Sequence, residues 1–229
     1  MKVNEIFGPT IQGEGISVGK KVIFLRLVGC NLHCVWCDTP YTWNWKGTKY
    51  SHQEKFDPKL EIHEMAIDEI LQDLLSRNLK SLVVSGGEPL LQQKELIALF
   101  KRIPDWWIEI ETNGTITPNE ELLRMVNQFN CSPKLSNSGS KRINSEALKV
   151  LSESQKVWFK FIVGSEDDIL EIEEYVNQFN LTNIILMPLG KTQEELNQTR
   201  QLAKDLANQK GFTFSDRLHI VLFNSKRAV

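Results

Sequence analysis

Short apolar runs punctuate the chain at 21–27, 82–85, 106–111, 157–163 and 183–187, and each reads as a buried strand. Between them, apolar residues recur at helical spacing. Ile62, Ala66, Ile70 and Leu74 predict a helix over 62–76, and Leu96, Leu99, Phe100 and Ile103 predict a second. Leu122, Met125, Val126 and Phe129 mark a third. It is opened by Thr117-Pro118-Asn119-Glu120, which has an N-cap, a proline at the first helical position and an acid after it. A helix near 145–151 comes next, then one carrying Ile169, Ile172 and Val176 behind a capping-box sequence at Ser165-Glu166-Asp167-Asp168. Thr192-Gln193-Glu194-Glu195 opens a long helix to about 208. A short strand at 3–7, another near Cys131 and a last one at 218–222 complete the set.

Strands separated by helix-length segments imply a parallel sheet with right-handed crossovers. About six such units fall short of an eight-fold barrel, so the expected α/β fold is a partial TIM-like barrel, open on one side. The chain shows no linker and no repeat, and one domain over 1–229 is expected. Its length leaves room for a full core. A net charge of −2 without a long basic run argues against a nucleic-acid partner, which needs a phosphate-neutralising face. No apolar run approaches membrane length, and Met1-Lys2-Val3-Asn4-Glu5 has no signal-peptide pattern; a cytoplasmic protein is expected.

Three of the four cysteines, Cys30, Cys34 and Cys37, are spaced C-x3-C-x2-C directly after the strand at 21–27. Three thiolates can hold three irons of a cubane cluster and leave one iron open to a ligand. A zinc site would need a fourth donor, for which His33 is at hand, and Cys34-Val35-Trp36-Cys37 alone fits a redox pair. Cys131 reads as a small buried residue. The loop from about 28 to 60 carries Trp43, Trp45 and Tyr50 as cover for this site; aromatic burial alone would also place them there. Gly86-Gly87-Glu88-Pro89, Thr112-Asn113-Gly114 and Ser132-Pro133-Lys134 each follow a predicted strand, on the side where α/β folds bind ligands. Each alone is also an ordinary capped turn. Arg26, in an apolar strand, needs an anionic partner, either a ligand or a structural carboxylate. Gly8-Pro9-Thr10-Ile11-Gln12-Gly13-Glu14-Gly15 is a glycine-rich turn or a substrate loop.

The cysteine spacing followed by Gly86-Gly87-Glu88-Pro89 resembles the radical S-adenosylmethionine (SAM) superfamily. Thr10-Ile11-Gln12-Gly13-Glu14-Gly15, Arg26, Cys37-Asp38-Thr39-Pro40, Ser85, Glu111-Thr112-Asn113-Gly114 and Ser132-Pro133-Lys134 narrow this. Together they resemble the 7-carboxy-7-deazaguanine synthase family, from about residue 4 to the end. The resemblance implies conversion of 6-carboxy-5,6,7,8-tetrahydropterin to 7-carboxy-7-deazaguanine with loss of ammonia, toward queuosine and related deazapurines. It implies a 4Fe–4S cluster on Cys30, Cys34 and Cys37, with SAM on the open iron. The reactive species is a 5′-deoxyadenosyl radical, so no side chain is expected as the acid or base. SAM contacts fall to Trp36, Cys37, Asp38, Gly86, Gly87, Glu88, Thr112, Asn113, Ser132, Pro133 and Lys134.

For the substrate the resemblance implies Ile11, Gln12, Gly13, Glu14, Arg26 and Ser85, together with His219 near the last strand and Val229 through the terminal carboxylate. A carboxylate such as Glu14 suits the donor pair on a pterin edge, and Arg26 suits the substrate carboxylate. Mg2+ is implied on Thr39, although carboxylate preference alone selects Asp38. A homodimer and a reducing donor such as flavodoxin or ferredoxin are implied as well. His33, His52 and His63 read as loop or surface residues. Two rival readings are a glycyl-radical-enzyme activase, whose substrate is a protein, and an iron–sulfur electron carrier. The segment from 42 to 63 is longer than in short relatives, which leaves open how the loop covers the cluster.

Overall fold

The computed structural model describes residues 1–52, 54–140, 142–224 and 226–228. Val229, expected at the substrate, lies outside them. A nine-stranded sheet runs in the order β3-β1-β2-β4-β5-β6-β7-β8-β9. Its strands are β1 (Lys2–Ile11), β2 (Lys21–Leu27), β3 (His63–Glu64), β4 (Ser81–Gly86), β5 (Trp107–Thr112), β6 (Gln128–Cys131), β7 (Val157–Val163), β8 (Ile184–Pro188) and β9 (Thr213–Phe214). From β2 to β9 every pairing is parallel. β1 adds antiparallel to β2, and β3 to β1, so the sheet is mixed where a parallel one was expected. The end strands β3 and β9 have two residues each and do not pair with each other. The barrel is therefore partial, as expected, with short edges that offer little template for unwanted pairing.

Helices α1 (Pro58–Glu61), α2 (Ile67–Ser76), α3 (Gln93–Phe100), α4 (Glu120–Met125), α5 (Ser145–Glu153), α6 (Asp168–Phe179) and α7 (Gln193–Lys210) lie between strands, and α8 (Leu218–Phe223) closes the chain. The main core forms where the helix-facing strand residues meet them: Ile108, Ile110, Phe129, Phe159, Phe161 and Leu186 pack with Leu74, Leu96, Leu99, Leu151 and Ile172. The alternate residues of the same strands turn the other way, and there the pattern is polar: Ser85, Glu109, Glu111, Gln128, Asn130 and Lys160 are buried or half-buried. A period of two thus separates an apolar helix layer from a polar interior.

Four expected elements differ. The helix marked by Leu122, Met125, Val126 and Phe129 ends at Met125, and Phe129 lies in strand β6, where it pairs in the sheet. The helix expected over 62–76 begins at Ile67, because His63 and Glu64 pair with Val3 and Lys2 as an edge strand. The cap expected at Thr117 is Asn119, whose side chain accepts the Leu122 N–H at 2.8 Å. The strand expected at 218–222 is helix α8. The last edge is taken instead by β9, and Leu218 N–H donates to Gly13 C=O at 2.8 Å, so the chain turns across the cavity. A short apolar run carries no periodicity that separates strand from helix. At Ser165 the box is half made: its N–H donates to Asp168 Oδ2 at 2.9 Å.

Candidate functional site

The loop leaving β2 carries Cys30, Cys34 and Cys37, all free and all lining one cavity of about 610 Å³. Donors converge on the sulfurs. Leu32 N–H lies 3.4 Å from Cys30 Sγ and Trp43 Nε1–H 3.4 Å from Cys37 Sγ; Asn113 Nδ2 is 4.0 Å from Cys30 Sγ. Burial pushes the Cys30 thiol up to about 12 and raises Cys34 and Cys37 too, Asp38 adding to the shift at Cys37. Such thiols shed their protons only to a metal that supplies the opposing charge. Cys131 is fully buried and packs under Gly114, away from the three. His33 stacks on Tyr50 at 3.8 Å and supplies no fourth ligand to this set among the contacts described. Three inward thiols ringed by N–H donors fit a cluster with one open iron better than a closed tetrahedral zinc. Trp43 is buried against His33, Tyr50 and His52, and His52 Nε2 sits 3.0 Å from Cys34 C=O. The cover expected from Trp43 and Tyr50 is therefore present, with Trp45 anchored to Tyr41 C=O at 2.8 Å.

The double-glycine turn is shaped by the cysteine loop. A Cβ on Gly86 would stand 2.1 Å from Leu27 C=O oxygen, and one on Gly87 2.0 Å from that of Gly29. Gly86 also has φ +134°, a conformation L side chains rarely adopt. Gly87 N–H and Glu88 N–H donate to Leu27 and Gly29 C=O at 3.2 and 2.8 Å. The glycines thus let the two loops meet backbone to backbone, a tighter constraint than approach to a ligand. Glu88 is buried beneath them. It accepts from Asn113 N–H, Thr112 Oγ1 and Leu90 N–H at 2.7, 2.8 and 3.0 Å, and burial raises its carboxyl. It braces the turn and is absent from the cavity lining, as is buried Pro133. Gly86, Gly87, Thr112, Asn113, Ser132, Lys134, Trp36, Cys37, Asp38 and Thr39 do line the cavity. Lys134 Nζ donates to Ser132 Oγ at 2.9 Å and lies 5.2 Å from the Trp36 ring centre.

The same cavity has a charged floor. Gln12, Gly13, Glu14, Arg26, Ser85 and His219 line it, with Ile11 at the side. Glu14 is held from two directions: Arg217 Nε at 2.8 Å and Lys160 Nζ at 3.1 Å, with His219 Nε2 at 3.9 Å. Burial pushes the Glu14 carboxyl up, but Lys160, Arg217 and His219 outweigh it and hold it well below the usual range. Lys160 also pairs with Glu111 at 3.4 Å, and Ser85 Oγ donates to Glu111 at 2.6 Å. Arg217 reaches Asp38 too and donates to Gly190 C=O at 2.5 Å. Its guanidinium thus bridges Glu14 and Asp38. Arg26 is met by Glu5 at 2.7 Å, the structural carboxylate of the two partners expected. His219 stands on α8 against Gly13, whose Cβ would fall 2.4 Å from its Nδ1. Burial lowers the imidazole below its ordinary range, so it is neutral near neutral pH.

Residues 11–128 match the family model of a 4Fe–4S single cluster domain. The 7-carboxy-7-deazaguanine synthase of Pyrobaculum aerophilum is 34% identical over 99% of this chain and 96% of that protein. This chain belongs to the 7-carboxy-7-deazaguanine synthase family. The Rhodopirellula baltica member is 31% identical over 94% of this chain and 84% of its own length. The crystal structure of QueE from Escherichia coli superposes with a TM-score of 0.72 at 25% identity, covering 95% of this chain and 94% of that one. The family's cofactors, a 4Fe–4S cluster and SAM, match the three-thiol set and the turn beside it.

Within the synthase family frame, the cofactor and substrate residues expected from the sequence, where described, line one cavity apart from Glu88 and Pro133. Lys160, Arg217 and Glu111 as charged floor residues escaped the reading. The signal was there: Trp107-Ile108-Glu109-Ile110-Glu111 alternates strictly, and Lys160 is a lone charge in Val157–Val163. Arg217 had no such signal: it stands in the polar stretch Ser215-Asp216-Arg217, just before α8.

Proposed function

We propose that the chain converts 6-carboxy-5,6,7,8-tetrahydropterin to 7-carboxy-7-deazaguanine with release of ammonia. One observation carries this: three free thiols and a set of buried, ion-paired polar side chains line one cavity. Bound there, a cluster and SAM would supply the carbon radical chemistry that hydrogen abstraction from the substrate requires. Cys30, Cys34 and Cys37 would hold the cluster, and Gly86, Gly87, Thr112, Asn113, Ser132 and Lys134 would hold SAM beside it. Trp36 closes that side, its indole N–H donating to Asn137 C=O at 3.1 Å.

The chain's own residues bind and orient the heterocycle. Glu14, kept ionised, accepts from the amidine-like edge, and Gln12 pairs with ring heteroatoms. Arg26, anchored by Glu5, turns its guanidinium to the substrate carboxylate. His219 and Ile220 on α8 line the open side and exclude water. Mg2+ is read on Thr39, which lines the cavity, whereas Arg217 already engages Asp38. The chain acts as one unit over 1–229, as a cytoplasmic homodimer reduced by flavodoxin or ferredoxin. Among the described residues no helix is long and apolar enough to cross a membrane. Val35, 61% exposed between two cluster cysteines, supports access for the donor from that side.

The test is anaerobic. Reconstituted enzyme with dithionite, Mg2+, SAM and the pterin should yield 7-carboxy-7-deazaguanine by mass spectrometry, with SAM in catalytic amount. SAM cleavage to 5′-deoxyadenosine without that product would overturn the substrate; no cleavage from an intact cluster would overturn the reaction class.

A further inference from the structure

Lys160 is the deepest cation of the cavity. Its side chain is 5% exposed, at the middle of β7, where the neighbouring strand residues are apolar. A buried ammonium is tolerated only when it is paired. Here two carboxylates from separate parts of the chain share it: Glu14 from the loop after β1, at 3.1 Å, and Glu111 from the end of β5, at 3.4 Å. Both carboxylates line the cavity, and Glu111 also carries two neutral partners of the floor, Gln12 Nε2 at 3.4 Å and Ser85 Oγ at 2.6 Å. Without the cation, two like charges would face each other across the floor. Gly15 leaves room for the lysine stem: a Cβ there would stand 3.4 Å from Lys160 Cδ.

We propose that Lys160 is the positioning residue of the substrate floor, one ammonium that holds Glu14 and Glu111 in a single orientation for the donor edge of the heterocycle. This rests on the proposed pterin reaction. Lys160 does not donate a proton itself: burial lowers its pKa, but Glu111 and Glu14 outweigh this and raise it above the ordinary lysine range. Its removal bears most on Glu111. Glu14 retains Arg217 and faces His219, whereas Glu111 has Lys160 as its cation among the described contacts and otherwise meets Ser85 and Gln12.

The test uses the holoenzyme with the cluster reconstituted, comparing K160M with K160R. In K160M, iron content, the electron paramagnetic resonance signal of the reduced cluster with SAM, and 5′-deoxyadenosine formed without substrate should match the unmodified enzyme. KM for the pterin should rise about tenfold to a hundredfold, the loss expected for a charge-assisted contact, with kcat less affected. K160R should recover most of that loss. Infrared difference spectra should show a protonated carboxyl in K160M at neutral pH that disappears in K160M/E111Q. If K160M does not fold, K160M/E111Q, which leaves fewer orphaned charges, carries the KM test. An unchanged KM, no rescue by arginine, or no carboxyl band would each overturn the proposal. The infrared arm does not depend on which substrate is turned over. Failure of the unmodified enzyme to act on the pterin would strike the proposed reaction, and the carboxyl band would still decide Lys160.

Discussion

The two halves of the cavity are built differently. The cofactor half comes from contiguous turns after β2, β4, β5 and β6, and its parts are joined through backbone groups: Gly87 and Glu88 N–H donate to Leu27 and Gly29 C=O, and Asn113 N–H donates to the Glu88 carboxylate. The substrate half comes from single side chains on distant elements: Gln12, Glu14, Arg26, Glu111, Lys160, Arg217 and His219. Backbone contact demands particular residues at fixed spacing, above all glycine, so it writes itself as a motif. Side-chain contact demands only that charges meet in space, which fixes no spacing. The difference predicts that damage to the first half disables the cofactor and damage to the second half disables substrate recognition.

The sharpest break of that division is Cys34→Ala, which should abolish SAM cleavage while circular dichroism stays native; 5′-deoxyadenosine formed by this variant would remove Cys34 from the ligand set. Gly87→Ala should cost about 3 kcal/mol in denaturant unfolding and lower iron incorporation, because its Cβ would meet Gly29 backbone at 2.0 Å. Normal stability and iron content would show that the two loops are not locked together. Glu14→Ala belongs to the other half. It leaves Lys160 to Glu111 and Arg217 to Asp38, and should cost about 3 kcal/mol, at the low end for a broken buried pair. Pterin turnover should be lost while cluster assembly persists; equal loss of both would erase the distinction.

The smallest effect is in acid. The folded Glu14 carboxyl is depressed by its cations, so its stabilisation is complete above the ordinary glutamate pKa of about 4.3 and is lost as pH falls through the lower folded value. The melting temperature of the apoprotein should therefore fall below about pH 4, and Glu14→Gln should flatten that limb. An unchanged limb would assign it to other carboxylates. Asp38 adds little, since its side chain is 40% exposed and solvent screens its pair with Arg217.

Most of the helices and parallel strands were legible because each repeats at its own period over enough residues. The misread elements were short or ambiguous. Residues 218–222 are apolar without rhythm, and whether they form strand or helix depends on whether the sheet edge is already taken, which β9 decides. His63 and Glu64 became an edge strand because β1 is long enough to offer them a partner. At Gly86 and Gly87 the residue type was legible and its reason was not: the obstruction is another loop's backbone.

The amino-acid sequence by itself determined the α/β alternation, the three-cysteine set and the family, because local periodicity and backbone-constrained turns are properties of neighbours along the chain. Only the tertiary structure decided that Lys160 stands between Glu14 and Glu111, that Arg217 engages Asp38, and that Glu5 answers Arg26. Pairing of buried charges is required by their desolvation, but which charges pair is set by the folding of distant strands onto one cavity.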